Sequence, residues 1–149
     1  MSGVLLDVNV LIAYAWPAHS AHERVTRWFA RHAEQGWATC PFTQAAFVRI
    51  LSNPAFSPDA LTTADAISLL ATNVGHPTHR FWTNDVGFVE AVRPFRDRII
   101  GHQQITDAYL LGLAIRKKGR FATLDRSVLA LLASGSAEEN TVELIGTGS

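Results

Sequence analysis

The chain has 149 residues, of which 48% are hydrophobic and 17% charged, and its thirteen basic residues balance thirteen acidic ones. This is a globular composition of a length that suits one compact domain over residues 1–149, and the neutral balance by itself names no partner. A single cysteine, Cys40, excludes an intramolecular disulfide framework and any multi-cysteine zinc cluster. No run approaches the roughly 18 apolar residues of a membrane-spanning helix. The opening apolar stretch carries Asp7 and has no basic residue before it, which argues against a signal peptide. A soluble, cytoplasmic protein with no membrane association is therefore expected.

In chain order, Val4–Leu6 is a short apolar run expected to be a strand. It ends at Asp7, and Asn9 is placed to cap the helix that follows. Residues 19–35 carry Val25, Trp28, Phe29 and Ala33 at helical spacing between Arg24, Arg27 and Arg31, and Gly36 stops that helix. Trp37–Thr39 reads as a strand. Pro41 marks the turn into a helix over 43–52, which Asn53-Pro54 breaks. Thr62 or Thr63 can cap a further helix with Ala64, Ile67, Leu70, Ala71 and Val74 on one face, closed by Gly75. Residues 79–82 suggest a strand and 85–92 a short helix. The clearest helix covers 105–118, with Ala108, Leu111 and Ile115 near one face and Gly119 just past its end. A strand over 121–124 runs into Asp125, followed by a helical stretch (127–133), a polar loop (134–140) and a closing strand (142–145).

Short apolar strands alternating with helices predict an α/β fold with a mainly parallel sheet covered on both faces. In such a sheet Asp7 and Asp125 stand at the carboxyl ends of two strands, where open α/β sheets hold their ligands. Asp107 lies in the first turn of a helix, where the dipole favours an acid. Carboxylates gathered at one edge repel unless protonated or neutralised, so the arrangement implies a cation, and oxygen-only ligands favour magnesium or manganese over zinc. Metal-assisted phosphodiester hydrolysis is the matching chemistry. Each acid has a plainer role open to it. A lone aspartate at a strand end commonly forms a turn, and Asp107 and Asp125 can each be helix caps.

Other features are weaker. Eight basic residues (Arg93, Arg96, Arg98, Arg116, Lys117, Lys118, Arg120 and Arg126) stand against Asp97, Asp107 and Asp125 over 93–126, which suits a polyanion if two of those acids hold a metal. A solvated helix end at 116–120 explains the same charges. The histidines have no zinc-ligand spacing, and His19 and His22 read as a helix surface. Trp16, Trp28, Trp37 and Trp82 are scattered and read as core or interface rather than as a stacking platform.

Four stretches resemble one family. LLDVNVLIA (5–13) is similar to the opening strand and motif of PIN-domain proteins, and ITDAYLLGLA (105–114) and FATLDRS (121–127) are similar to their later acidic motifs. WATCPFTQAAFVRILSNP (37–54), with GHQQITDAYLLGLA (101–114), resembles the VapC toxins of bacterial VapBC toxin–antitoxin pairs, in particular their mycobacterial-type branch. The likeness runs from about residue 5 to 132 with the motifs in order. It implies a PIN-like (Rossmann-like) three-layer α/β/α sandwich and a magnesium-dependent endoribonuclease, with manganese as a substitute ion. It also implies an RNA substrate (transfer RNA or ribosomal RNA), a homodimer, and a VapB-type antitoxin that blocks the site.

By motif position, Asp7 matches the family's first metal ligand, Asp107 its third acid and Asp125 its fourth, directly or through water. Asn9 falls where the family has a small polar residue near the metal, and Thr123 is a lesser candidate. The glutamate that many members carry in a T-x-x-E pattern is absent: Thr43-Gln44-Ala45-Ala46 puts Ala46 in its place and leaves Gln44 nearby. Asp85 is a possible replacement carboxylate or a helix cap. Arg49 is a candidate for RNA phosphate, for an active-site acid or for a structural ion pair. His102 and Gln103 can contact substrate or simply form a loop. Two alternatives stay open beside the toxin: another metal-dependent nuclease or phosphatase, and a catalytically weak PIN module that binds RNA or a protein partner.

Overall fold

A computed structural model describes residues 3–146. Residues 1–2 and 147–149, the ends of the 1–149 span, lie outside the described residues. Five strands form one parallel sheet: β1 (Val4–Leu6), β2 (Trp37–Thr39), β3 (His79–Phe81), β4 (Arg120–Thr123) and β5 (Val142–Leu144), in the order β3-β2-β1-β4-β5. The two central pairings set the register. β1 aligns Val4 with Trp37 of β2 and with Arg120 of β4, and Leu6 with Ala122.

Strand alternation divides the core into two layers. Leu5, Ala38 and Phe121 face α5 (Phe88–Val92) and α6 (Ile105–Arg116), whose buried run from Ala108 to Ala114 forms one core. Val4, Leu6, Trp37 and Ala122 face the other way, onto α1 (Val8–Ala15), α2 (His22–His32), α3 (Pro41–Leu51) and α4 (Thr63–Val74). The expected three-layer α/β/α arrangement is what forms. It forms because the central strands β1 and β2, buried along their whole length, can be covered on both faces only by helices. No helix among the described residues is long and apolar enough to cross a membrane.

Several local expectations are corrected. Asp7, not Asn9, is the N-cap of α1; its side chain accepts from the Val8 N–H, while Asn9 sits inside the first turn and reaches across to β4. The helix expected over 19–35 starts at His22 and gives way to a 3-10 turn, Ala33–Gln35. Pro41 itself opens α3, with the Thr43 hydroxyl accepting from the Cys40 N–H. Thr62 caps α4, but the helix is rolled away from the expected face: Ala66 is buried with Leu69 and Leu70 against α3, and Ile67 is 55% exposed. Apolar residues surround α4 on most sides, so periodicity alone could not choose the face that α3 would cover.

The helix expected over 85–92 is reduced to Phe88–Val92 because Val86 is pinned in the core, where Tyr109 Oη donates to its carbonyl at 2.9 Å. The stretch after Asp125 is a 3-10 segment, Arg126–Leu131. At the end of α6, Lys118 takes the left-handed conformation (φ 57°) and Gly119 N–H closes onto the Ala114 carbonyl at 2.9 Å. Gly119 is needed for space: a Cβ there would lie 2.6 Å from the Gly3 carbonyl oxygen and 2.7 Å from the Trp82 ring.

Gly112 permits a closer approach still. A Cβ on it would fall 2.1 Å from the Ala91 carbonyl oxygen, so α5 and α6 touch backbone to backbone. Gly112→Ala must push them apart, and a loss of about 1–3 kcal/mol is expected for such overpacking. Urea unfolding of the two proteins measures it; an unchanged midpoint would mean that α5 is not packed on α6 as described.

Candidate active site

The order β3-β2-β1-β4-β5 makes β1 and β4 neighbours from which the chain winds outward in opposite directions. The crevice beyond their carboxyl ends is the topological switch point at which doubly wound sheets bind ligands. Asp7 follows β1 directly and its backbone N–H continues the ladder to Ala122 O at 2.9 Å. Thr123 ends β4, and Asp125 lies two residues on. Asp7 and Asp125 thus arrive at one edge because their strands are paired.

Thr123 Oγ1 donates to Asp7 Oδ2 at 2.7 Å and accepts from the Asp125 N–H at 3.0 Å and from Asn9 Nδ2 at 3.4 Å. A hydroxyl has one donor and two acceptor positions, and all three are used. Asn9 Oδ1 in turn accepts from the Leu124 N–H at 3.2 Å. Asp7 Oδ1 accepts from the Val8 N–H at 2.7 Å, so both oxygens of this carboxylate, only 4% exposed, are held. Asp125 Oδ1 caps the following turn through the Ser127 N–H at 2.9 Å; its other oxygen has no protein partner among the described residues. Asp107, half-buried in the first turn of α6, accepts no hydrogen bond among the described residues.

Electrostatics join the third acid to the other two. Burial raises Asp7 to about 6 against hydrogen bonds from Thr123 and Val8, and the Asp125 charge adds to the rise. Asp107 is raised to about 7, first by burial and then by the charges of Asp7 and Asp125. Three carboxylates therefore share one field with no cationic side chain among the causes of either shift. Among the described residues no three His, Cys, Asp or Glu side chains stand close enough together to enclose a metal by themselves.

The supporting candidates divide. Thr123 and Asn9 are joined by hydrogen bonds to each other, and Thr123 to Asp7 and Asp125. Gln44 Nε2 donates to Thr39 Oγ1 at 2.9 Å, and Thr39 Oγ1 lies 2.7 Å from His79 Nε2 at the end of β2. Burial holds His79 below the usual histidine range, with Arg80 and His76 adding to it, so its neutral ring can accept the Thr39 proton. Gln44 is thereby fixed on the β2 side, with its carbonyl oxygen free of protein partners among the described residues. Arg49 is exposed and forms no ion pair among the described residues, neither with an active-site acid nor elsewhere. Asp85 neither caps α5 nor joins the acids; it pairs with Lys117 Nζ at 3.0 Å, which draws its carboxyl below the usual range.

The basic stretch is more dispersed than its sequence suggests. Arg116 faces Glu90, Lys117 faces Asp85 and Arg120 pairs with Glu143 at 2.6 Å. Residues 116–118 also lie at the far end of α6 from Asp107, roughly 15 Å away along a helix rising 1.5 Å per residue. The tryptophans are core or near it, as expected: Trp28, Trp37 and Trp82 are all under 9% exposed. Gln104, which the sequence reading passed over, links the loop before α6 to the Asp125 turn. Its only sequence signal is a polar residue just ahead of the helix.

Known proteins decide the family. No family model matches the chain. Ribonuclease VapC38 of Mycobacterium tuberculosis is 45% identical over 127 residues, covering 85% of this chain and 88% of that protein. Ribonuclease VapC39 of the same species is 40% identical over 90% of this chain and 96% of its own length. The chain belongs to the VapC ribonuclease family. Ribonuclease VapC44, also of M. tuberculosis, is 39% identical over 94% of this chain and 98% of its own length. Among solved structures, VapBC2 from Rickettsia felis bound to a DNA fragment from their promoter superposes with a TM-score of 0.66 over 95% of this chain and 97% of that one. At 11% identity that match speaks for the fold alone. As a VapC ribonuclease the chain is a hydrolase of RNA phosphodiester bonds, and the toxin reading of the sequence stands.

Two expectations follow. Thr123→Val keeps the shape and removes the hydroxyl, leaving Asp7 Oδ2, the Asp125 N–H and Asn9 Nδ2 without their shared partner. Stability should fall by about 1–3 kcal/mol for the stranded buried groups. Ribonuclease activity should fall about 10–100-fold, as for other residues that orient a reactive carboxylate. Denaturant unfolding and a cleavage assay read the two effects, and wild-type values in both would show that the hydroxyl orients nothing.

The second expectation concerns pH. Because the folded pKa values of Asp7 and Asp107 exceed the ordinary 3.8, the native state binds more protons than the unfolded chain between about pH 4 and 7. Stability without added divalent cation must then decline as pH rises through that window. His19 and His79, both lowered by burial, tilt the balance the other way near their ordinary 6.5, so the comparison must be with a variant. Asp7→Asn should melt increasingly higher than wild type as pH rises from 4 to 7; parallel melting curves would contradict the raised value for Asp7.

Proposed function

We propose that the chain is a magnesium-dependent endoribonuclease, the toxin of a toxin–antitoxin pair, acting as a single domain in the cytoplasm with Asp7, Asp107 and Asp125 as the metal-holding and catalytic acids. The observation that carries this reading is the shared field of three carboxylates at the β1–β4 switch point, with Asp107 raised to about 7 and without a donor among the described residues. An acidic group so placed is relieved by a cation, and a set made of oxygens suits magnesium, with manganese as substitute. The three acids do not close into a cage by themselves, which agrees with the habit of magnesium of binding one or two carboxylates and keeping several waters. When bound, the ion supplies charge stabilisation to the phosphodiester and increases the acidity of water.

The chain's own residues supply orientation. Val8 N–H and the Thr123 hydroxyl hold Asp7 in one rotamer, and the Ser127 N–H turns Asp125 so that its second oxygen is free. Asn9 steadies Thr123, and Gln44 leaves its carbonyl oxygen available on the β2 side to orient a water in place of the missing glutamate. Arg49, exposed and unpaired, is available to RNA phosphate. The substrate in this reading is an RNA such as transfer or ribosomal RNA. The partners are a VapB-type antitoxin and a second copy of the chain, for which exposed Phe42, Phe88 and Val89 offer apolar contact surface.

A second reading, a weakly catalytic module that binds RNA or a protein, is favoured by one observation: no carboxylate replaces the missing glutamate, since Ala46 stands there and Asp85 is tied to Lys117. One assay separates the two. Purified protein is given an RNA panel with magnesium, with EDTA, and as Asp7→Asn or Asp107→Asn. Magnesium-dependent cutting reduced at least 100-fold by EDTA and by either substitution is expected. Cutting that survives Asp7→Asn would overturn the site, and RNA retention without cutting would favour the binding module.

A further inference from the structure

The loop ahead of α6 and the turn after β4 form the two walls of a cleft of about 320 Å³ lined by Ile100, His102, Gln103, Gln104, Asp125 and Ser127. Its position is informative, because one wall carries an acid of the proposed catalytic site. Its construction is equally so. Gln104 Oε1 accepts from the Ile100 N–H at 2.8 Å and its Nε2 donates to the Ser127 carbonyl at 3.4 Å, so a single amide braces both walls. His102 and Gln103, next to this brace, are exposed and their side chains have no hydrogen-bond partner among the described residues. Ile100 is 86% exposed, an apolar side chain left open among the described residues.

We propose that this cleft is the base pocket for the nucleotide beside the scissile phosphate, with His102 and Gln103 as the residues that select the base. The inference rests on the ribonuclease site proposed above and adds to it what the enzyme reads. A phosphate at Asp7, Asp107 and Asp125 places a neighbouring base within one sugar's reach of the Asp125 wall. Asp125 makes the wall unfavourable to a second anion, whereas a neutral base suits it. The chemistry also matches: an amide offers a donor and an acceptor to a base edge, an imidazole offers a further polar edge, and Ile100 supplies apolar cover for a base face. Sequence-specific readout of RNA works mainly on bases splayed from single strands, loops and bulges. A pocket that receives a whole base takes one splayed from its strand, so base selection by His102 and Gln103 is read on unpaired nucleotides.

The test uses hairpin RNAs that differ only in one loop nucleotide, each measured as kcat/KM for cleavage by wild type, His102→Ala and Gln103→Ala. Both side chains are exposed and unbonded, so these variants fold. Wild type should prefer one base at least tenfold, and each substitution should reduce that ratio about tenfold, while the matching duplex is not cut. A wild type indifferent to the base, a duplex cut as well as the hairpin, or variants that slow all RNAs equally would overturn the proposal. Affinities of the same hairpins for Asp7→Asn, read by fluorescence anisotropy with calcium in place of magnesium, give the base preference without cutting. If Asp7→Asn still cleaves, the catalytic reading fails; if it is inactive and binds every hairpin equally, the pocket fails.

Discussion

The hydroxyl of Thr123 gives its proton to Asp7 and takes hydrogen bonds from the Asp125 backbone and the Asn9 side chain. That junction depends on one topological fact, the parallel pairing of β1 with β4, strands more than a hundred residues apart that lie side by side with Leu6 opposite Ala122. Continuing the ladder by one step puts Asp7 against the end of β4, where the hydroxyl of the last β4 residue donates to its second oxygen. The first oxygen is satisfied by the turn into α1. The same few bonds therefore end two strands, start a helix and aim two acids.

This edge is held at a cost. The dipole of α6 favours an ionised Asp107 at its first turn by about 0.3–1 kcal/mol, and one pKa unit corresponds to about 1.4 kcal/mol. Asp107 nonetheless stands at about 7 rather than 3.8, so burial and the charges of Asp7 and Asp125 outweigh the helix end. Among the described residues no cationic side chain offsets the rise of either Asp7 or Asp107, and Arg116, Lys117 and Arg120 are paired with Glu90, Asp85 and Glu143 away from the site. A chain with abundant arginine has left its acids uncompensated at the one edge where a ligand would supply the opposite charge. Strain stored at an edge that packing does not require is characteristic of sites selected for function.

The fold was legible in the sequence wherever the local signal and the packing agree. Val4–Leu6 and Trp37–Thr39 are apolar runs too short and too flat in pattern to be anything but buried strands, and they formed with the expected bounds. The positions of Asp7, Asp107 and Asp125 were legible because strand ends and a helix start are visible in one dimension. What was not legible depends on contacts across the fold. Asn9 resembled a cap because a polar residue near a helix start usually is one; its true partners, Thr123 and Leu124, are 114 and 115 residues away. The buried face of α4 was decided by α3, and the fate of Asp85 by Lys117 from the end of α6. Gln104 gave no signal because bracing two loops needs no pattern.

The absent glutamate is best understood from the same electrostatics. A further carboxylate brought to this edge would be a fourth like charge where two acids already resist ionisation. Gln44, anchored through Thr39 to His79, leaves a carbonyl dipole on that side without adding charge. An amide orients water by hydrogen bonding and contributes nothing to the repulsion among Asp7, Asp107 and Asp125. The polar groups are fastened to different strands and turns: Thr123 and Asn9 to the end of β4, Gln44 to Thr39 at the end of β2, and Gln104 to the Ser127 carbonyl in the turn after β4. This division follows from the winding of the chain outward from β1 and β4.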